Sequence, residues 1–418
     1  MSTTLDWSGG VCRFPSVMFK RLFTPIERPV PPAAQMVTAF TDGQVTLRSN
    51  RDKIGYHEAA DMDGYKGVRP GDFVVHGLDI LRGSVGVSDS AGAISAVCTV
   101  CRPSARVDPR FVAHAMRAQA SLGVPKAMAR GIREGGADFR RWDTLGEMSV
   151  PVPPLDDQRR IADYLDAETT RLDALIETKR RLGSLLVSRF QRSRDARLWG
   201  TVGDGLAQRG PWPWIPIRHL ASIHGGLTLG KSYDEPCVSW PYLRVANVQD
   251  GYVNLDDLAS VRVPESAARR HALKNDDLLV LEGNGNPANL GRSALWDGSV
   301  EPCLHQNHVH AVRADPERMV PQLLYWLLRT EWARWCFAGS EDSVSIATLS
   351  QERIASLPVP VPPRSTHAAL AAYLATAWAE NEALLDANDR SIRLLTERRQ
   401  ALITAAVTGE FQVPESAA

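Results

Sequence analysis

The chain has 418 residues, more than one ordinary core accommodates, so two or more domains are expected. Apolar residues make up 44%, and 48 basic groups balance 48 acidic ones, which excludes a disordered polyelectrolyte and a strongly basic tail. The opening MSTTLDWSGG lacks a basic-then-apolar leader and no apolar run is long enough for a bilayer, so a cytoplasmic protein is expected.

In chain order, 1–150 reads as a globular block of short strands and turns. Gly71-Asp-Phe-Val-Val is an apolar run beside a turn, as in a buried strand, and Pro109–Ala120 reads as a helix. Its candidates for contact with a polyanion are Lys20, Arg21, Arg48, Arg51, Lys53 and Arg82. Arginines number 41 against 7 lysines, which suits forked contacts to phosphate and guanine, although a GC-rich coding bias is the plainer cause. The cysteines (Cys12, Cys98, Cys101, Cys237, Cys303, Cys336) form no disulfide framework. Cys98 and Cys101 lack two further ligands at zinc spacing, so structural thiols are expected.

Next, 151–205 opens after Pro153-Pro154 and is proline-free, which predicts a long helix. Ile161, Leu165, Leu172, Leu175, Leu182 and Leu186 recur at threes, fours and sevens, a seam for a partner helix. The block 206–363 is again strand-like, with Asp277-Leu-Leu-Val-Leu as a buried strand and Pro321–Phe337 as a helix. The last stretch, 364–418, reads as a second long helix carrying Leu370, Leu374, Leu384, Leu385, Ile392, Leu395 and Leu402.

Repetition decides the architecture. The string VPVPP occurs at Val150–Pro154 and at Val359–Pro363, an offset of 209. The same offset aligns Tyr164-Leu165 with Tyr373-Leu374 and Leu185-Leu186 with Leu394-Leu395, without a gap. Two copies of one element, each unable to bury its stripe alone, are expected to pack on each other. The expected fold is α+β: two globular domains separated by two long helices in an antiparallel coiled coil.

Three polar runs in the third block admit sharper readings. GGLTLGKS at Gly225–Ser232 fits the phosphate-loop pattern, but Pro236 and Pro241 forbid the helix such a loop needs. Thr228, Lys231 and Ser232 are better read as contacts from this loop to the phosphates of a polyanion, with a plain solvated loop as the alternative. HQNHVH at His305–His310 suggests a metal site; in a strand His308 and His310 would share a face with His305 opposite, and no second ligand cluster follows. Gln306 and Asn307 could instead address base edges, or belong to a purely structural strand. EGNGNPANLGRS at Glu282–Ser293 has Asn-Pro but neither the second proline nor the ring of an amino-methyltransferase motif, leaving Asn284, Asn289 and Arg292 as polar contacts. The pair Glu177 and Lys179 lies mid-helix and reads as a solvated face rather than a nuclease centre.

The order variable block, repeated helix, variable block, repeated helix resembles the specificity subunit of type I restriction–modification enzymes. The likeness is carried by PVPPLDDQRRIADYLDAETTRLDALI (Pro151–Ile176), with Gln158 at the family's glutamine, and by RRQALITAAVTGEF (Arg398–Phe411), where Gly409 ends the helix. VTAFTDGQVTLRSNR and YKGVRPGDFVVHGLDILRGSVGVS also resemble its recognition-domain strands. Two departures stand out. Ser365-Thr366-His367 replaces Asp156-Asp157-Gln158 in the second copy, and the first helix ends SRFQRSRDARLWG instead of AVTG.

The resemblance implies target-recognition domains at 1–150 and 206–363, spacer helices at 151–205 and 364–418, and a pseudo-two-fold arrangement reading a bipartite, asymmetric site in double-stranded DNA. It implies two methyltransferase partners that hold S-adenosylmethionine, a restriction subunit using ATP and Mg, and no cofactor or catalysis in this chain. Gln158, Ile161, Leu165, Leu370 and Leu374 are then candidates for docking those subunits. An enzyme with built-in recognition domains, nuclease or methyltransferase, and a protein-interaction scaffold are the rival readings.

Overall fold

The computed structural model describes residues 12–51, 64–128, 139–200, 210–230, 232–283, 291–338 and 349–414. Contacts divide the chain into two units: Met1–Arg180 with Asp389–Ala418, and Arg181–Asn388.

The first unit carries β1 (Ser16–Met18), β2 (Phe23–Pro25), β3 (Val37–Ala39), β4 (Val45–Leu47), β5 (Lys66–Val68), β6 (Phe73–His76), β7 (Val85–Val87), β8 (Gly92–Ile94) and β9 (Cys98–Pro103). Then follow α1 (Pro109–Ser121), α2 (Val124–Met128), α3 (Trp142–Gly146), β10 (Ser149–Pro151) and the long α4 (Leu155–Trp199). The main sheet is antiparallel in the order β2-β9-β6-β7, and β1 pairs with β10 to close the block. The run Phe73-Val74-Val75 forms a strand buried on both sides. Phe73 and Val75 enter a core with Phe19, Phe23 and Phe111, while Val74 faces a smaller one with Val37, Val45 and Val100. That is the period of two that a strand imposes. Helix α1 starts where Asp108 accepts the Arg110 amide at 2.9 Å and Pro109 takes the first turn.

In the second unit the chain forms β11 (Trp214–Pro216), β12 (Ala221–His224), β13 (Val238–Leu243), β14 (Ala259–Val263), α5 (Glu265–His271), β15 (Leu278–Leu281), β16 (Ser293–Leu295), β17 (Leu304–His305) and β18 (Val309–Ala314). It continues through α6 (Pro321–Leu328), α7 (Glu331–Ala338), α8 (Gln351–Ser356) and β19 (Pro358–Pro360) into the long α9 (His367–Thr408). The main sheet runs β12-β18-β15-β16, and β11 pairs with β19. This is the order of the first unit, strand for strand, although the two blocks share almost no residues. The hydrogen bonds agree as well. Gly77 N donates to Val97 O at 3.0 Å and Phe139 N to Gly77 O at 3.2 Å; in the second unit Glu282 N donates to His308 O at 3.0 Å and Leu349 N to Glu282 O at 2.8 Å.

The predicted helix Pro321–Phe337 is broken into α6 and α7. The Thr330 hydroxyl donates to the Leu327 carbonyl at 2.8 Å and accepts the Ala333 amide at 3.2 Å, so it ends one helix and caps the next.

Both long helices form, and each unit contains antiparallel stretches of the two. In the first, Asp173 meets Arg399 at 2.9 Å and Tyr164 meets Phe411, ring centroids 5.7 Å apart. In the second, Phe190 meets Trp378 at 4.9 Å and the Arg197 guanidinium lies 4.0 Å over Tyr373. The covered row of α4 is Gln158, Ala162, Leu165, Thr169, Leu172, Ile176, Lys179, Gly183, Leu186 and Phe190, alternating fours and threes. The predicted seam shares Leu165, Leu172 and Leu186 with it, but Leu175 and Leu182 are 45% and 42% exposed.

The two helices also end alike. Gly200 and Gly409, again 209 apart, both have left-handed backbones, with φ of 69° and 79°. Trp212 packs over the first and Phe14 over the second, where a β-carbon would come within 3.1 Å and 2.8 Å of the rings. The missing AVTG in the first copy therefore leaves the helix ending itself intact.

Candidate nucleic-acid interface

Three segments of the second unit, all singled out in the sequence, converge at one end of its sheet. After β12 the chain turns through Gly225 and Gly226, and Leu227 N donates to His305 O at 2.7 Å. Asn307 N returns a bond to Leu227 O at 3.1 Å, which places exposed Thr228 beside the turn between β17 and β18. That turn is joined to the end of β15 by Glu282 N, and Leu281 N donates to Arg292 O at 2.9 Å, which brings in the third segment. Ser232 is exposed further along the first loop, whereas Lys53, Lys231, Asn284 and Asn289 lie outside the described residues.

The described residues after Gly225 lead into β13 rather than a helix, so the loop has no helix terminus to hold a nucleotide's phosphates. The histidines of HQNHVH take three separate roles. Buried His305 bonds the Val309 carbonyl at 2.7 Å and buried His310 bonds Leu349 O at 2.8 Å. Desolvation pushes His305 down to about 4 and lowers His310. His308 does not share a strand face with His310 as predicted. It sits in the turn, half-exposed, with Nδ1 2.6 Å from the Glu282 carboxylate.

The other expected contacts of this unit are partly committed elsewhere. Gln306 Oε1 accepts the Val245 backbone N–H at 3.1 Å, and the Gln306 backbone N–H donates to Leu243 O at 2.9 Å. Its side-chain carbonyl therefore braces the chain just after β13, and only the amino end of the side chain is left for another group. Arg292 is half-buried, with Gln249 Oε1 at 3.5 Å.

In the first unit Lys20 and Arg21 are exposed on the turn between β1 and β2. The corresponding turn of the second unit, Ile217–His219, carries Arg218 and His219. Sequence reasoning missed this second pair, although FKRL and IRHL lie 198 residues apart and could have revealed it. Arg82 is 71% exposed after β6, while Arg48 is half-buried. Arg51 is held by Asp42 at 2.6 Å and by the Phe40 face at 4.4 Å, so it stiffens the β3–β4 hairpin. Cys98 and Cys101 belong to different cores on opposite faces of β9, a geometry in which they cannot share one ion. Burial pushes both thiols up to about 12.

The residues expected to dock other subunits lie within the cores of their own units or at their edges. Gln158 is fully buried: its Oε1 accepts the Asp108 amide at 2.9 Å, and its Nε2 donates to Pro153 O at 2.8 Å and Arg106 O at 3.2 Å. The bonds to Asp108 and Arg106 hold the start of α1 against α4, and the bond to Pro153 fixes the entry of α4 itself. His367, which replaces it 209 residues on, places Nε2 2.9 Å from Pro362 O, the equivalent carbonyl. Ile161 and Leu165 lie in the first core with Ile403 and Val407; Leu374 is buried in the second, with Leu370 packed at its edge.

No helix among the described residues is long and apolar enough to cross a membrane. No family model matches the chain. It is 26% identical over 228 residues to the type I restriction enzyme EcoKI specificity subunit of Escherichia coli strain K12, covering 51% of this chain and 46% of that one. The alignment thus spans about half of that relative. To the StySPI specificity subunit of Salmonella potsdam it is 21% identical over 337 residues, 76% of this chain and 69% of the other. A chain solved in a study of assembly and conformational transition of the type I R-M system has a TM-score of 0.69 at 17% identity, covering 95% of this chain and 98% of that one. This chain is similar in sequence to type I specificity subunits over part of its length and has the mixed α and β fold of that solved chain.

Proposed function

We propose that this chain is the non-catalytic, sequence-specific DNA-binding subunit of a type I restriction–modification complex. Each unit reads one part of a split, asymmetric target in double-stranded DNA. The observation that carries the proposal is the repeated frame with divergent rims. Two units share strand order and hydrogen bonds, while the loops at the ends of their strands differ in length and chemistry. A frame kept constant under changing loops is the construction of a reader whose target varies. The relatives are named as specificity subunits of restriction enzymes, which favours DNA as the thing read.

The partners follow from the same reading. Two methyltransferase subunits bring S-adenosylmethionine and flip out an adenine, and an ATP-driven restriction subunit completes the enzyme. This chain supplies orientation and choice of sequence and holds no cofactor itself.

Reconstitution with its methyltransferase partner, followed by sequencing of modified adenines, tests the proposal. A split motif with an unread spacer is the expected result. DNA affinity in gel shifts should fall steeply as salt rises, because phosphate contacts release condensed cations. A complex that modifies no defined motif, or a chain that shifts no DNA at low salt, overturns it.

A further inference from the structure

The second unit holds a polar pair that its frame does not require. Glu282 and His308 occupy the two positions joined by the Glu282 N to His308 O bond. In the first unit the same bond joins Gly77 to Val97, which offer no polar side chain. At Gly77 none is possible, since a β-carbon would stand 2.7 Å from the Arg140 amide nitrogen. The fold is thus built equally well without a carboxylate and an imidazole there, and their presence needs another cause.

Their geometry indicates one. A carboxylate only accepts hydrogen bonds, so at 2.6 Å from Glu282 the His308 Nδ1 carries the ring hydrogen. In the neutral ring that leaves Nε2 as an acceptor. Its neighbour on the chain, Asn307 Nδ2, is 3.4 Å away, too long to satisfy it well. His308 is half-exposed, and Glu282 is 23% exposed behind it, the arrangement of a presented ring with a partly buried orienter. Thr228 and Asn307 flank the same rim. At this point of the rim the pair presents a carboxylate and an outward acceptor, which suits a hydrogen-bond donor better than a phosphate. The groups on a duplex that meet such an acceptor are the exocyclic amines of the major groove, cytosine N4 and adenine N6.

We propose that Glu282 and His308 form a base-reading pair, in which His308 Nε2 accepts a hydrogen bond from the exocyclic amine of one cytosine or adenine in the target. The inference rests on the function proposed above and assigns one position of the recognition sequence to one pair of side chains. Gly77 and Val97 make the corresponding position of the first unit blind to that amine.

The test uses the full chain reconstituted with its methyltransferase partner and a random DNA library, with modified adenines read by sequencing. His308→Ala should relax discrimination at a single base pair by about 5- to 100-fold, leaving the rest of the motif unchanged. Glu282→Gln should relax the same base pair more weakly, because an amide oxygen still orients the ring. The preferred base at that pair should be one that offers an amine in the major groove. His308→Gln, which keeps an acceptor, guards against a folding defect and should retain more discrimination than alanine. Four outcomes overturn the pair: an unchanged motif in His308→Ala, uniform weakening at every position, relaxation at different base pairs in the two variants, or glutamine no better than alanine. A wild-type chain that directs no defined motif instead removes the functional reading beneath it.

Discussion

Gln158 offers the sharpest test of how these units are held together. Its amide is wholly buried and makes three hydrogen bonds, to Asp108 N, Arg106 O and Pro153 O. Asp108 caps α1, so the side chain ties the start of one helix to the first turn of another. Gln158→Ala removes all three bonds. At about 1 kcal/mol each the loss is about 3 kcal/mol, rising toward about 5 because the abandoned backbone groups have no route to water. Gln158→His transplants the residue that the second unit uses at His367. One ring nitrogen can keep the Pro153 bond, so roughly two of the three bonds are lost, at about 2 kcal/mol. Urea unfolding should rank the variants parent, histidine, alanine. Native-state hydrogen exchange should localise the effect, with the Asp108 amide losing about 100-fold protection in the alanine variant. An alanine variant within about 0.5 kcal/mol of the parent, or one that weakens partner binding without touching Asp108 exchange, would refute this reasoning.

The other predictions concern the core, the helix endings and pH. Leu165→Ala and Leu374→Ala should each destabilise their own unit by about 2–5 kcal/mol, since both side chains are buried, and thermal melting will check it. Gly409→Ala must place a β-carbon at φ 79° and against Phe14; a loss of about 1–3 kcal/mol in urea is expected, partly recovered by adding Phe14→Ala. Burial holds His114 down at about 4, with the Arg117 and Arg399 guanidiniums opposing its charge and Asp166 favouring it. The unfolded chain takes up this proton near 6.5 and the folded one only near 4. Stability is therefore full above 6.5 and falls as pH drops toward 4, by at most about 3 kcal/mol from this group. Asp166 titrates below its ordinary 3.8 and contributes beneath that window. His114→Gln should reduce the slope of the stability profile between pH 6.5 and 4, leaving the share of His305 and the other lowered histidines, and an unchanged slope would show that His114 does not contribute.

The sequence made the large features legible through repetition, because an offset of 209 is visible whatever each residue does. The seam was only half legible, for a reason that is physical. Ala162, Thr169 and Gly183 lie on the covered row, yet none carries a large apolar side chain, so a search for leucines slides one position to Leu175 and Leu182, which face solvent. Close helix packing favours small residues at some seam positions, and hydrophobicity alone misses them. Gln158 and His367 were obscure for a related reason. Chemically dissimilar groups each satisfy the proline carbonyl five residues before them, so what read as a departure between the copies is a shared function. The rim of the second unit was legible residue by residue but not as a site. The runs at 225–232, 282–293 and 305–310 are separated in sequence and brought together by strand pairing across β12, β15 and β18 and by the turn bonds beside it. Nothing local to HQNHVH shows that His308 faces Glu282 rather than His310. At the termini of β6 and β15 role and residue type come apart. Where a frame is repeated, a side chain that differs between the copies while the backbone bond beneath it persists has been released from the work of folding. Glu282 and His308 meet that condition, whereas Gln306 only partly does, since its oxygen is spent on Val245.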